Sequence, residues 1–430
     1  MRMKHRLPLL LLLVAALSAA PLAAQQDVVI KITEGTPAIS LAMPDFVLHS
    51  DAPALKEAAV ELQKVMADDL QYSRVFQLLP RSYYGYIKAV NPEAIVFKDW
   101  ASIQAAILFV GELTPGEGGN VVFDGKLFDV KAERLIKGKR FQAEKSLLRL
   151  MAHKMSDEIM RVYGEKPIFT SKVVFISDRD GNDELYLMDY DGAGQTRLTF
   201  NKVRDYMPAW SPDGRHIAYT SYKNQSAGLY ILDLDQGKFQ AVSTRGTNFG
   251  PSYSYDGKKI AFCSTMDGNS EIYVCDADGK NIRRLTFNSA IDTAPTWSPT
   301  NREIAFTSDR SGTPQIYIMD AEGTNLRRVS FGGNYFDKPA WSPTGDRIVC
   351  VSRVENIFDL YILNLRTKAF TKVTESNARN ESPSWSPDGR HIVFASNLRG
   401  GIQVFAIDID GANLRQLTSK GTNKLPDWSR

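Results

Sequence analysis

Proline recurs at positions 208, 251, 295, 339, 383 and 426, at successive spacings of 43, 44, 44, 44 and 43 residues. Around each stands a version of one phrase, fullest at Pro208-Ala209-Trp210-Ser211-Pro212-Asp213-Gly214. A repeat in the forties built from short strand-like pieces is the signature of a β-propeller blade, not of a helical solenoid.

Each repeat divides into four strand segments. The first is the Pro-x-Trp-Ser piece, and the second is of the type Glu303 to Ser308. The third resembles Gln315 to Asp320, and the fourth Leu326 to Ser330. Most second and third segments are apolar on both faces, as strands covered by neighbouring blades must be. Ser-Pro-Asp-Gly at 211 to 214 and 386 to 389 forms one set of tight turns, and Asp191-Gly192, Asp278-Gly279, Glu322-Gly323 and Asp410-Gly411 form another. Strands in a meander alternate direction, so both sets fall on one face of the ring, and function is expected at the other, loop-rich face. The second-to-fourth segments start at Lys172, His216, Lys259, Glu303, Arg347 and His391. The copy at Lys172 lacks a first segment, whereas Leu425 to Ser429 is a first segment with nothing after it. Pairing these orphans closes a six-bladed ring without an open edge.

At the other terminus, Arg2, Lys4 and Arg6 precede an apolar run from Leu9 to Ala20 and the small residues Ala23-Ala24. Residues 1–24 are therefore expected to be a signal peptide, with the rest exported. The alternative, an uncleaved anchor, needs about 20 apolar residues, and no cysteine follows the run to make a lipoprotein. Those three basic residues account for the whole formal net charge of +3, so the mature chain is near neutral and a nucleic-acid partner loses its compositional support. Cys263, Cys275 and Cys350 all sit inside strand patterns. Pairing Ser264 with Glu271 places Cys263 opposite Ile272, a poor disulfide geometry, so free buried thiols are expected.

Residues 25–165 read as a compact α/β domain ahead of a propeller over 166–430, and the fold class is mostly β. A strand is expected from Asp27 to Thr33, an amphipathic helix from Ala54 to Leu70, and strands at Ile107 to Gly111 and Val121 to Val130. A second helix is expected from Glu144 to Val162, stopped by Gly164 and Pro167.

The usual signs of catalysis do not assemble. His49, His153, His216 and His391 include no His-Glu-x-x-His pattern, and His216 and His391 share a repeat position that reads as strand edge or surface. Gly-x-Ser-x-Gly is missing, as is the hydrolase domain that a peptidase propeller carries. Asp178 to Glu184 resembles half a calcium loop but lies between strands, without the twelve ligand-spaced positions of an EF-hand. Tryptophans 210, 297, 341, 385 and 428 keep register with the repeat and read as packing residues, not a sugar platform. No enzyme activity, metal or cofactor is therefore expected; a periplasmic hydrolase or a glycan-binding propeller are the alternatives.

The residues before each repeat proline vary from blade to blade. They are Asp205, Tyr206 and Met207; Thr247, Asn248 and Phe249; Asp292 and Thr293; Tyr335, Phe336 and Asp337; Arg379, Asn380 and Glu381; and Asn423 and Lys424. As fourth-to-first loops they are expected to converge around the axial channel. Their mix of aromatic, amide and acidic groups suits a protein ligand.

Several features together resemble the TolB family of periplasmic propellers of the Tol-Pal system. They are the export signal, the strand Val28-Val-Ile-Lys-Ile-Thr-Glu-Gly35, Phe-Val-Gly at 109 to 111, the long helix leading into the first blade, the six repeats and the closing Pro426-x-Trp428-Ser429. The resemblance implies a non-enzymatic scaffold that binds two partners: the lipoprotein Pal over the channel and TolA through the mature N-terminal segment. Such a scaffold supports outer-membrane integrity and envelope constriction at division. By repeat position the Pal surface includes Thr247, Gly250 and Thr293. The full candidate set is Asp205, Tyr206, Thr247, Asn248, Gly250, Asp292, Thr293, Tyr335, Asp337, Arg379 and Glu381. The implied TolA segment is Gln25, Gln26, Asp27, Val28, Val29, Ile30, Lys31 and Ile32. A monomer is expected, held peripherally at the outer membrane through Pal, with other envelope proteins as further candidate partners.

Overall fold

The computed structural model describes residues 38–87 and 90–430; the signal sequence, the strand expected at 27–33 and the 25–32 segment lie outside them. The described chain begins with an α/β layer: β1 (Ile39–Ala42), β2 (Val47–Leu48), α1 (Pro53–Tyr72), β3 (Phe76–Leu78), α2 (Phe97–Ser102), β4 (Ile107–Pro115), β5 (Val121–Asp129), β6 (Arg134–Ala143) and α3 (Leu148–Val162). Its sheet runs β3-β1-β4-β5-β6, with β2 also on β4. β1 pairs in parallel with β3 and β4, while β4, β5 and β6 form an antiparallel meander.

The expected helical stripe on α1 is the one that is buried: Leu55, Ala58, Leu62, Val65, Met66 and Leu70 all face the core, and the helix continues to Tyr72. α3 starts later than its stripe predicts. A 3-10 turn over Lys145–Leu147 precedes it, and Leu147 is left exposed. β6 escapes a reading by periodicity because it is an edge strand, exposed along most of its length and rich in lysine and arginine, which discourages pairing with another chain.

Six four-stranded sheets follow. The second strands begin at the residues that the repeat marks, from Lys172–Ser177 to His391–Ser396, and are almost wholly buried. Asn423–Trp428 pairs antiparallel with Lys172–Ser177, so the end of the chain completes blade one. The outer, fourth strands are mostly two residues long, which keeps each blade's free edge short. Ser264 lies opposite Glu271 and Cys263 opposite Ile272, and all three cysteines are free and buried.

The α/β layer sits on the tight-turn end of blades one and six. α1 and α3 share one apolar cluster with Val173, Phe175, Tyr186, Met188, Val393, Val404 and Ala406. Around it, Arg149 pairs with Asp191 and Arg74 with Asp410, both acids belonging to Asp-Gly turns.

Candidate functional site: the axial cavity and its mouth

Every first strand of a blade carries the same distortion. Between the second and fifth residues the ladder slips, as from Tyr206 opposite Thr220 to Ala209 opposite Ala218, and the other five blades slip at the same place. Proline has no N–H to give the ladder, so a bulge is the way to keep it inside a sheet. The residue before the proline takes positive φ in all six blades: Met207, Gly250, Ala294, Lys338, Ser382 and Leu425, between 47° and 61°. The bulge brings this residue and its proline to the wall of an axial cavity of about 360 Å³, where all six pairs are found with Trp210, Trp341, Trp385 and Trp428. The tryptophans are buried packing residues, as their register implies, and they also line this cavity.

Arg430 and Tyr255 lie at the tight-turn end of the same cavity. The guanidinium stacks over the Tyr255 ring at 3.6 Å and donates to the Tyr253 carbonyl at 3.3 Å. Loss of water there lowers the basicity of Arg430.

The candidate residues divide by position. Two residues before each proline stand Tyr206, Phe249, Thr293, Asp337, Glu381 and Lys424, all partly exposed. Three before stand Asp205, Asn248, Asp292, Phe336, Asn380 and Asn423, and all six are buried. Both sets lie in the first strands and not in loops, which corrects the expectation for Asp205, Tyr206, Asn248, Asp292, Thr293, Asp337 and Glu381. Of these, Asp205, Asn248 and Asp292 are buried. These three side chains are engaged within the protein. Asp205 accepts from Ser221 Oγ (2.5 Å) and Asn201 Nδ2 (2.9 Å), and burial pushes its carboxyl up. Asn248 donates to the Arg245 carbonyl at 3.1 Å. Asp292 accepts from Arg310 at 2.8 and 3.0 Å and from Asn288 at 2.8 Å. In an alternating strand the residue beside an exposed one faces inward, a rule that a loop assignment hides.

The remaining candidates are accessible. Thr247 and Arg379 are exposed, and Gly250 and Thr293 border the cavity. Tyr335 donates to Asp337 at 3.1 Å, and Arg379 pairs with Glu381 at 2.8 Å. Burial and the Asp337 carboxylate push the Tyr335 phenol up. Two aromatic and cationic clusters missed in the sequence rise beside the mouth. In one, Arg204 lies over Tyr206 at 4.7 Å, while Arg204 and Lys424 both pair with Asp183. In the other, Arg353 lies over Tyr335 at 4.7 Å and Arg379 over Phe358 at 4.8 Å. Phe358 arrives because the central hairpin of blade five has strands of 8 residues where the others have 6; its unbroken Arg347–Val354 run was the available signal.

The acids of the Asp178 to Glu184 turn have partners within the chain: Asp178 accepts the Thr422 N–H, Asp183 pairs with Arg204 and Lys424, and Glu184 with Arg197. Among the described residues, His153, Asp189 and Asp191 form a group with metal-like spacing, but Lys172 and Arg149 neutralise its two carboxylates. His216 is partly exposed, as its repeat position suggests, whereas His391 is fully buried beneath the α/β layer, against expectation.

An α/β layer on one end of a six-bladed ring, with a proline-lined cavity along the axis, defines a two-layer propeller protein whose channel is rimmed by six dissimilar blades. A family model of the TolB amino-terminal domain matches residues 28–136, and one of the TolB beta propeller domain matches 159–360 and 338–430. The chain belongs to the TolB family. It is 34% identical over 217 residues to the Tol-Pal system protein TolB of Desulfosudis oleivorans, covering 49% of each chain. It is 35% identical over 217 residues to the Protein TolB homolog of Chlorobium chlorochromatii, covering 50% of this chain and 48% of that one. The match thus spans about half the length of these relatives. The crystal structure of TolB from Acinetobacter baumannii superposes with a TM-score of 0.79 at 25% identity, covering 91% of this chain and 96% of that one.

Proposed function

We propose that this chain is a periplasmic, non-enzymatic component of the Tol-Pal system that holds the lipoprotein Pal over the mouth of the axial cavity and engages TolA through residues 25–32. The observation that supports the Pal site is the ring of Tyr206, Phe249, Thr293, Asp337, Glu381 and Lys424, six different and reachable side chains carried on six equivalent bulges. Interfaces that select one protein partner combine aromatic anchors with a polar rim, and this ring has both. The reading keeps Tyr206, Thr247, Gly250, Thr293, Tyr335, Asp337, Arg379 and Glu381 as contacts, and it gives Asp205, Asn248 and Asp292 the task of holding the bulges. Holding Pal in this way serves outer-membrane integrity and constriction at division, with 1–24 as the export signal.

Pull-down with the cognate Pal tests the site. Thr293→Arg with Asp337→Arg is expected to abolish capture, and undiminished capture by that double variant would remove the mouth from consideration. Deleting residues 25–32 is expected to abolish TolA capture and leave Pal capture intact; loss of neither overturns the second assignment.

A further inference from the structure

Two histidines lie in the buried seam between the α/β layer and the propeller, and their second nitrogens face opposite chemistry. On α3, His153 Nδ1 is 2.9 Å from Asp69 Oδ2, and its Nε2 faces the Arg149 guanidinium at 3.5 Å. A guanidinium only donates, so this side of the His153 ring faces a cation and no carboxylate. Tyr190 adds a hydrogen bond to Asp69 at 2.6 Å, and the neighbouring Asp189 and Asp191 are neutralised by Lys172 and Arg149.

His391 opens the second strand of blade six, with its side chain fully buried. Its Nδ1 is 2.8 Å from Asp408 Oδ1, and the other Asp408 oxygen accepts from Arg74, just beyond α1, at 3.1 Å. With Arg74 and the Asn413 amide both donating to its other oxygen, Asp408 offers His391 Nδ1 an acceptor. Nε2 faces Asp388 Oδ2 at 3.9 Å, and neither atom has a hydrogen-bond partner. With no further proton, two acceptors confront each other in a place closed to water, an expensive arrangement. The Tyr72 ring of α1 lies flat on the imidazole, centroids 4.0 Å apart and planes 15° from parallel, which favours a cationic partner.

The surrounding charges are mixed. Arg390 NH1 is 4.0 Å from Asp388 while its NH2 pairs with Glu165 at 2.8 Å. Arg415 lies over the far side of the Tyr72 system at 4.4 Å, Asp410 is held by Arg74, and Lys166 acts on Asp388 from outside. The two carboxylates aimed at the imidazole nitrogens are nearest to them and set the local preference.

We propose that this seam binds one proton between His391 Nε2 and Asp388 Oδ2, and that the proton seats α1 on blade six. The seated state takes up a proton that the open state does not hold there, so seating is strongest at low pH and weakens as pH rises and the proton leaves. The same arrangement is missing at His153, whose second nitrogen faces the Arg149 guanidinium and no carboxylate.

Nitrogen NMR of the full chain with labelled histidine reads the device directly. At about pH 6 His391 is expected to carry protons on both ring nitrogens and His153 on one. Between about pH 6 and 8.5, amide exchange from Asp69 to Leu78, corrected for its intrinsic pH dependence, is expected to accelerate severalfold as that proton is lost. In Asp388→Asn the amide donates to Nε2 in place of the proton, and this acceleration should vanish. A single proton on His391 throughout that range, or an equal slope in the variant, overturns the proposal. The nitrogen shifts of the unaltered chain decide it even where the variant fails to fold.

Discussion

The carboxylate of Asp427 accepts the backbone N–H of Trp210 at 2.8 Å, tying the closing strand of blade one to the first strand of blade two. Its second oxygen takes the Ser384 hydroxyl of blade six at 2.8 Å, and that hydroxyl accepts the Trp428 N–H at 3.1 Å. Thr296 receives the Trp341 N–H in the same way at 3.3 Å. The residue between proline and tryptophan is thus an inter-blade clasp wherever it carries an oxygen. Asp427 is the clasp that spans the ring closure.

Removing the clasp should loosen the closure. Asp427→Ala strands the Trp210 N–H and the Ser384 hydroxyl, at a cost of about 2 kcal/mol in unfolding free energy. The pH dependence separates charge from hydrogen bonding. Burial pushes the Asp427 carboxyl above its ordinary 3.8, so its contribution is largest below that value and declines as pH rises and the group ionises. Asp427→Asn keeps an acceptor for Trp210 without the charge. Its melting temperature relative to the unaltered protein should therefore rise as pH goes from acid to neutral, and a flat difference would show that the charge is irrelevant.

Two glycines with similar φ should respond differently to alanine. Gly250 has φ +61°, and an added Cβ would meet only the sulfurs of Cys263 and Met207 at 3.9 Å. At the equivalent bulge position the other five blades already carry side chains, so Gly250→Ala should cost only about 1 kcal/mol, the left-handed penalty alone. Gly323, at φ +89°, would press its Cβ to 2.7 Å from the Leu285 carbonyl oxygen of the preceding blade. That backbone cannot yield without shifting the inter-blade packing, and chemical denaturation should show at least about twice the loss for Gly323→Ala.

Arg74 has an exposed flank but holds the carboxylates of Asp408, buried, and Asp410 at 3.1 and 2.7 Å. Arg74→Ala leaves buried Asp408 with only His391 and the Asn413 amide and with no guanidinium to offset its charge. A loss of about 2 kcal/mol is expected, seen as earlier proteolytic cleavage between α1 and β3 while the blades stay protected. Equal protection across the chain would mean that the apolar seam suffices.

The ring was legible because its cause is periodic: proline, tryptophan and turn glycines recur wherever a blade is needed, and the orphan segments Lys172–Ser177 and Asn423–Trp428 declare the closure. β1 and β3 were not, being 4 and 3 residues long and paired in parallel with strands distant in sequence. Around the channel, variation before each proline marked the stretch proposed as the site but not the direction of its side chains. Asp292 and Thr293 pair regularly with Ser308 and Thr307 ahead of the ladder slip at Ala294 and Pro295, so strand alternation buries one and exposes the other, a pattern that a loop reading of this stretch conceals. His391 and His216 share a repeat position, and only the α/β layer packed over blade six makes one buried and the other partly exposed.

The adjacent pair Asp292 and Thr293 offers the sharpest separation of scaffold from surface. Asp292 is fully buried and holds Arg310 and Asn288, so Asp292→Ala leaves a guanidinium without its partner and should cost about 3 kcal/mol. Its Pal capture, scaled to the folded fraction, should be unchanged. Thr293 is partly exposed on the cavity rim. Thr293→Arg should alter stability by less than about 0.5 kcal/mol and yet, under the proposed function, weaken Pal capture at least about tenfold, because a long cation would then stand at the proposed contact surface. Denaturation curves and pull-downs on the two single variants give both readings. Equal Pal affinity for Thr293→Arg and the unaltered chain would leave the mouth without a role in capture.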